Sequence, residues 1–253
     1  MRTRFGGLAA ALALGLGACG SGTTTDDAAP VDPGGEAALP ADLVSARDTL
    51  PPAPATADAL TIVLTHPGGP LDPGLDAAAA ALAQRPDVHV VIAVAGEPGS
   101  ATMSGFPVAV TGATAVDAVA AALDADPDTD LVVVGISGGH GIGTTSAEAD
   151  AAAAREVPAL VVGSGPGPEP DLAAATMQLL EVLDLDLDRI LTGDVHRLAV
   201  PSCDHGMLRG RLTARPATAA PEDLRADCTA TVVPGSAEAE AFGAGYATLA
   251  PLR

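Results

Sequence analysis

The sequence predicts an α/β fold of three layers, a mainly parallel sheet flanked by helices, with an antiparallel extension at the C-terminal end. Two observations lead there. From residue 60 short apolar runs rich in β-branched residues alternate with alanine-rich stretches, the pattern of strands buried on both faces between crossover helices. Such connections are right-handed and place successive strands parallel. After residue 196 the alternation gives way to short extended pieces with no helix between them, which suits an antiparallel extension or hairpin arm.

The first strand is Leu60 to Thr65, bounded by Pro-Gly-Gly-Pro. Asp72-Pro73 then offers an N-cap with proline at the first helical position, and Gly74 to Arg85 is alanine-rich helix material. Val88 to Val94 reads as the second strand, Phe106 to Val110 as the third, Thr114 to Leu123 as a helix and Leu131 to Ile136 as the fourth strand. Helix returns at Ser146 to Arg155, and Ala159 to Val162 is a further strand. After Asp171 a helix places Leu172, Thr176, Leu179, Leu180 and Leu183 on one face, with Gln178 and Glu181 on its polar side. Leu198 to Val200, Arg209 to Thr213, Thr229 to Val233 and Tyr246 to Leu249 complete the extended pieces. In open sheets of this kind ligands bind beyond the carboxyl ends of the strands, so the loops 65–73, 94–105 and 135–145 are where a site belongs.

Composition bounds the chemistry. All 12 basic residues are arginine, because the 253-residue sequence has no lysine, and it has no asparagine. A Walker-type phosphate loop and a Schiff-base mechanism both need a lysine, so neither is available. A formal charge of −20 lacks the basic patch with which a protein neutralises a nucleic-acid backbone, so no nucleic-acid polymer is expected as partner. With 48% hydrophobic but 2% aromatic residues, the core is built from Ala, Val, Leu and Ile.

Residues 1–19 read as a secretory signal. Arg2 and Arg4 form the charged start, Leu8 to Leu16 is a short apolar run, and Leu16-Gly17-Ala18-Cys19 resembles a bacterial lipobox. The reading makes Cys19 the lipidated first residue of the mature chain and anchors the protein to the outer face of the cytoplasmic membrane. Residues 20–58, rich in Ala, Pro, Gly, Asp and Thr, form a disordered linker, and residues 59–253 form the folded domain. Cys203 and Cys228 then remain in an oxidising compartment, where a disulfide is the expected pairing and two buried free thiols the alternative.

The loops and tail of the domain resemble the SurE family of metal-dependent 5'/3'-nucleotidases, which are phosphomonoesterases. Ile62-Val63-Leu64-Thr65-His66-Pro67-Gly68-Gly69-Pro70-Leu71-Asp72-Pro73-Gly74-Leu75 is similar to that family's strand, Asn-Asp-Asp-Gly turn and Ala-Pro-Gly helix start, except in the middle. Val132-Val133-Val134-Gly135-Ile136-Ser137 is similar to the strand ending in Ser-Gly-Ile-Asn, and Val157-Pro158-Ala159-Leu160-Val161 to a Phe-Pro-Ala-Leu-Ala strand. Val200-Pro201, and Glu240-Ala241-Phe242 through Leu252, are similar to the closing segments. Cys203 and Asp227-Cys228-Thr229 resemble exported actinobacterial members.

The resemblance implies a divalent cation, Mg²⁺ or Mn²⁺, held by two adjacent aspartates, a serine and an asparagine. Those positions are here Pro67, Gly68, Ser100 and Ser137. A hard cation needs carboxylate oxygen, so the expectation is a SurE-like lipoprotein with weak or no metal-dependent phosphomonoesterase activity and no resident cofactor. It would retain binding of a small anion, phosphate compound or nucleotide on backbone N–H groups at Gly69 and Gly74. The alternative is an active nucleotidase-type enzyme rebuilt around His66, Asp72, Ser100, Ser137 and His140, since imidazole and carboxylate suit Zn²⁺, Mn²⁺ or Fe. The resemblance also implies a homodimer or tetramer.

A second alternative comes from the residues alone. Gly135-Ile136-Ser137-Gly138-Gly139 follows a strand and matches the nucleophile elbow of serine hydrolases, with Asp184, Asp186 or Asp194 and then His196 or His205 in the required order. Against it stand the glycines through Gly143, poor material for the helix an elbow enters at once.

Overall fold

The computed structural model describes residues 59–138, 141–143, 145–165, 170–192, 195–219 and 224–252. The signal, Cys19 and the linker lie outside the described residues, as do Gly139, His140 and Asp194. In chain order the elements are β1 (Leu60–Thr65), α1 (Pro73–Leu82), β2 (Val88–Ala95), β3 (Val110–Gly112), α2 (Ala115–Ala125), β4 (Leu131–Gly138), α3 (Ala147–Ala153), β5 (Ala159–Gly165), α4 (Leu172–Leu185), α5 (Leu187–Thr192), β6 (Val195–Pro201), β7 (Arg211–Thr213), α6 (Glu238–Gly243) and β8 (Ala247–Pro251).

The strands form an eight-stranded sheet in the order β3-β2-β1-β4-β5-β6-β8-β7. Neighbours from β3 to β6 are parallel. β8 runs antiparallel to β6, and β7 parallel to β8. The strands alternate their faces with period two, so Ile62 and Leu64 join Leu75, Leu82, Leu179 and Val182 in the core under α1 and α4. Val63 and Val132 join Ala118, Val119, Ala149 and Ala152 under α2 and α3. That is the expected three-layer arrangement, with its antiparallel strands at the C-terminal end.

The helix starts behave as their sequences dictate. Asp72 caps α1 by accepting from the Gly74 and Leu75 amides with Pro73 in the first turn, Thr114 and Asp117 form a reciprocal capping box on α2, and Ser146 and Asp171 cap α3 and α4.

Several elements differ from the expectation. The third strand lies at Val110–Gly112 rather than Phe106–Val110, because Pro107, which has no N–H for the ladder, sits in a bridge to Ala101 instead. Residues around Leu198 are not part of the antiparallel extension: β6 is the last parallel strand, fully buried between β5 and β8. Thr229 to Val233 is no strand, and α6 interrupts a region expected to lack helices. On α4 the buried face is Ala175, Gln178, Leu179, Val182 and Leu183. Gln178, expected in water, is buried and donates to Glu181 at 2.8 Å, whereas Leu172, Thr176 and Leu180 are only half-buried.

One close approach fixes α1 against the sheet. A Cβ on Gly74 would lie 1.7 Å from the Ile136 carbonyl oxygen of β4, a contact the backbone must move to relieve. Gly74→Ala is expected to destabilise by about 1–3 kcal/mol. Urea denaturation measures it, and an unchanged midpoint would place the α1–β4 contact elsewhere.

Candidate functional site

The strand order reverses direction between β1 and β4: β2 and β3 continue on one side of β1, and β5 and β6 on the other side of β4. At such a point the loops leaving the two carboxyl ends diverge and open a crevice. His66 follows β1 directly, Asp72 begins α1, and Ser137 lies near the end of β4. The fold therefore gathers three of the expected residues at one place.

His66 is 4% exposed. Its Nδ1 accepts the Gly68 amide at 2.9 Å. An amide N–H can only donate, so in the neutral ring the proton sits on Nε2. That Nε2 lies 3.4 Å from Asp72 Oδ1. It completes no hydrogen bond among the described residues. Burial lowers the His66 pKa from 6.5, with Asp72, the Ile136 backbone and Glu148 pulling the other way. Asp72 Oδ1 is already engaged, accepting the Gly74 amide at 2.8 Å and the Leu75 amide at 3.4 Å.

Gly68 is the position on which this geometry turns. A Cβ there would lie 2.7 Å from Asp72 Oδ2 and 2.9 Å from His66 Nδ1. Both atoms belong to anchored side chains, one capping α1 and the other bonded to the Gly68 amide itself. The space a side chain at residue 68 would need is filled by the His66–Asp72 pair.

The remaining candidates are more dispersed. The Ser100 hydroxyl donates to the Glu97 carbonyl at 2.6 Å within its own turn. It approaches the site only across Gly96, whose other neighbour is the Pro70 ring. Ser137 is half-buried in β4 opposite Gly163 of β5. The amides of both glycines proposed for an anion are occupied, Gly69 donating to the His66 carbonyl at 3.2 Å and Gly74 to Asp72. His140 lies outside the described residues.

One residue that the sequence did not single out acts on the site. Glu148, buried in the first turn of α3, accepts the Ser146 hydroxyl at 2.6 Å and acts on His66 through space. The Ser-x-Glu spacing at a helix start is the signal that could have marked Glu148, although it reads first as a cap.

The metal implied by the family resemblance does not fit the residues present. Pro67 and Gly68 supply no side-chain oxygen, and the Ser100 hydroxyl is turned to its own loop. His66 presents a proton at Nε2, where a ligand needs a lone pair. Among the described residues no three His, Cys, Asp or Glu side chains converge as metal ligands.

The described residues do not support the elbow alternative. Ser137 lies within a strand that continues to Gly138, and α3 begins only at Ala147, so among the described residues no sharp strand-to-helix turn presents it. His196 pairs with Leu160, three residues before the Gly163 that faces Ser137, and two strands away from it. The offset is roughly 10 Å along the strands and as much across them. Asp184 and Asp186 lie at the far end of the 14-residue α4, bound to Arg85 and to Arg211 respectively. His205 is exposed beyond β6.

Two buried histidines set the acid response. His196, 3% exposed, is lowered from 6.5 by burial and then by Arg189, with Asp186 opposing. Because both folded values lie below the unfolded one, the unfolded chain takes up more protons as pH falls below about 6.5. Stability is fully present above that pH and is lost below it, with a slope of at most about 1.4 kcal/mol per pH unit for each histidine. Thermal melts between pH 7.5 and 5 are expected to show this, and His196→Gln to reduce the slope. A flat profile would refute the burial of both rings.

No family model matches the chain, and no curated protein sequence matches it. Among solved structures the chain is similar to the SurE protein from Aquifex aeolicus, with a TM-score of 0.56 and 17% sequence identity, over 76% of this chain and 93% of that one. Likeness at that identity establishes the fold, a SurE-like α/β architecture.

Proposed function

We propose that the chain is an exported lipoprotein whose SurE-like domain no longer hydrolyses phosphomonoesters by a metal-dependent route and serves as a binding module. The observation that carries this reading is the filling of the space at Gly68 by Asp72 Oδ2 and His66 Nδ1. In the family that the sequence resembles, this turn carries the two carboxylates that anchor the cation. Here neither residue 67 nor residue 68 has one, and a side chain at residue 68 would have to displace Asp72 Oδ2 and His66 Nδ1. Without an anchored cation the transition state of phosphoryl transfer has neither Lewis acid nor template.

The phosphate-binding part of the expectation finds little support. The Gly69 and Gly74 amides are used internally, and the charges acting on His66 are the carboxylates of Asp72 and Glu148, with no arginine among them. The rebuilt-site alternative rests on the 3.4 Å separation of His66 Nε2 and Asp72 Oδ1, a spacing two ligands of one metal could have. It would require His66 to exchange its proton to Nδ1 and give up the Gly68 amide.

The test is turnover. Mature protein is incubated with nucleoside monophosphates and an aryl phosphate in Mg²⁺, Mn²⁺, Co²⁺ and Zn²⁺, with His66→Ala and Ser137→Ala controls. Background release under every condition is expected. Metal-dependent release abolished by His66→Ala would replace this reading with the rebuilt enzyme. The lipid anchor has its own test: Cys19→Ala should move the protein from the membrane to the soluble exported fraction.

A further inference from the structure

The folded domain carries its methionines outside its core. Four occur in the sequence; Met1 belongs to the signal read from residues 1–19, and Met103, Met177 and Met207 lie in the domain. Met103 and Met177 are each 63% exposed and Met207 is 81% exposed. The buried hydrophobic side chains among the described residues are Ala, Val, Leu and Ile with Phe242 and Cys228, and include no methionine. A thioether is ordinarily core-filling material, so the placement of all three in water calls for a reason in what the sulfur does there.

Each position is held open by its local structure. Met103 is the second residue of the turn Thr102–Gly105, which the Gly105 amide closes by donating to the Thr102 carbonyl at 3.0 Å. The next residue, Ser104, donates its amide and its hydroxyl to the Asp76 carboxylate of α1, both at 2.7 Å, and so fixes the turn. Met177 shares the exposed side of α4 with Ala173, Glu181 and Asp184, the i, i+4 and i+7 positions of one helix face. Met207 follows Gly206, whose φ of 83° and close approach to the Cys228 carbonyl fasten the loop beside the Cys203–Cys228 bond.

Among the described residues the other oxidisable side chains are closed. The sequence has no tryptophan, Cys203 and Cys228 are joined to each other, and Tyr246 is half-buried with the Arg209 guanidinium 4.7 Å from its ring centre. A two-electron oxidant arriving from solvent therefore meets thioether sulfur first. Conversion to the sulfoxide adds a polar oxygen, which disrupts a core but not a surface already in water.

We infer that Met103, Met177 and Met207 are oxidation sites: each takes one oxygen atom from a peroxide, and the domain stays folded with all three as sulfoxides. In each step an S–O bond forms and the peroxide O–O bond breaks. The proton on the transferred oxygen passes to the departing hydroxide, which leaves as water. The sulfur is oxidised by two electrons and the peroxide reduced by two. The domain is thereby a stoichiometric sink for peroxide, and this holds whether or not it hydrolyses phosphomonoesters.

The experiment exposes the mature protein to hydrogen peroxide with free methionine in the same solution. Peptide mass spectrometry follows each methionine, and thermal melts are recorded before and after. Each of the three sites is expected to gain one oxygen at no less than about a fifth of the rate of free methionine, with the Tyr246 and disulfide peptides unchanged. The fully oxidised protein should melt within about 2 °C of the untreated protein. The triple variant Met103→Leu, Met177→Leu and Met207→Leu should melt as the parent does, before and after peroxide.

A site reacting more slowly than that, as it would if a second copy or a lipid surface covered it, overturns the inference. So does a larger displacement of the melt by the three sulfoxides, or oxygen appearing on Tyr246 before the methionines are consumed. If the triple variant does not fold, the rates at the three sites of the unaltered protein still decide.

Discussion

Replacing Glu238 with alanine is expected to destabilise the domain by about 3–5 kcal/mol, the range for breaking one side of a buried ion pair. Glu238 is 0% exposed at the start of α6, and Arg197 is 1% exposed in the middle of β6. The arginine Nε donates to Oε1 at 2.8 Å, and its NH2 donates to Oε2. Oε2 also accepts the Ala217 amide at 2.9 Å, and the Arg197 guanidinium reaches the Ala217 carbonyl at 3.4 Å. One carboxylate thus ties β6, α6 and the segment around Ala217 together, and its removal takes two charge-assisted hydrogen bonds from a buried guanidinium. In a domain of this size the loss should appear as a fall in melting temperature of roughly 10–15 °C. Glu238→Gln, which keeps one acceptor, should cost less. The double variant Arg197→Met with Glu238→Leu should recover most of the loss, because an apolar pair of similar volume avoids the desolvation of two charges. If Glu238→Ala melts within about 2 °C of the parent protein, the pair does not hold the C-terminal region.

Loss of the Cys203–Cys228 bond is the second large effect. The two residues are joined across a sequence separation of 25, with their Cα atoms 5.7 Å apart. Closing a loop of that length stabilises by about 3–4 kcal/mol in the chain-entropy model. The bond lies where little else holds the chain. Among the described residues the 202–210 and 224–236 stretches carry no regular element, and Met207, Val232 and Val233 are strongly exposed. Gly245 packs against the bond from below, in the left-handed region at φ 81°, with Cys228 Cα only 2.7 Å from where a side chain would begin. Reduction, or the double variant Cys203→Ser with Cys228→Ser, should lower the melting temperature by on the order of 10 °C, and hydrogen exchange should quicken first between residues 203 and 236. Identical melts with and without reductant would mean that the bond bears no load.

Much of the fold was legible because local signals and the buried sheet agree. Residues 60–65, 88–94 and 131–136 are mainly apolar runs rich in β-branched residues that suit a strand covered on both faces, and Asp72, Thr114, Ser146 and Asp171 are side chains that cap helices wherever they precede one. The signals failed where tertiary context decides. Pro107 displaced a strand, Gln178 was buried by α4 packing on the sheet, and Leu198 to Val200 belongs to a central strand because β8 returns to cover it. The site was half legible for the same reason. His66, Asp72 and Ser137 follow from the ends of strands, whereas Glu148 looks like an ordinary cap until folding brings it within electrostatic reach of His66.

By itself, the sequence determined what this protein lacks: no lysine for covalent or phosphate chemistry, and no acid at residues 67 and 68. Composition and motif identity are properties of the chain, independent of its shape. Only the tertiary structure decided what stands there instead. The histidine tautomer fixed by the Gly68 amide, the carboxylate filling the space above Gly68, and the buried Arg197–Glu238 pair all depend on distances between groups that local sequence does not constrain. Hydrogen bonding and desolvation act over a few ångströms, so their outcome is set where the chain brings its parts together.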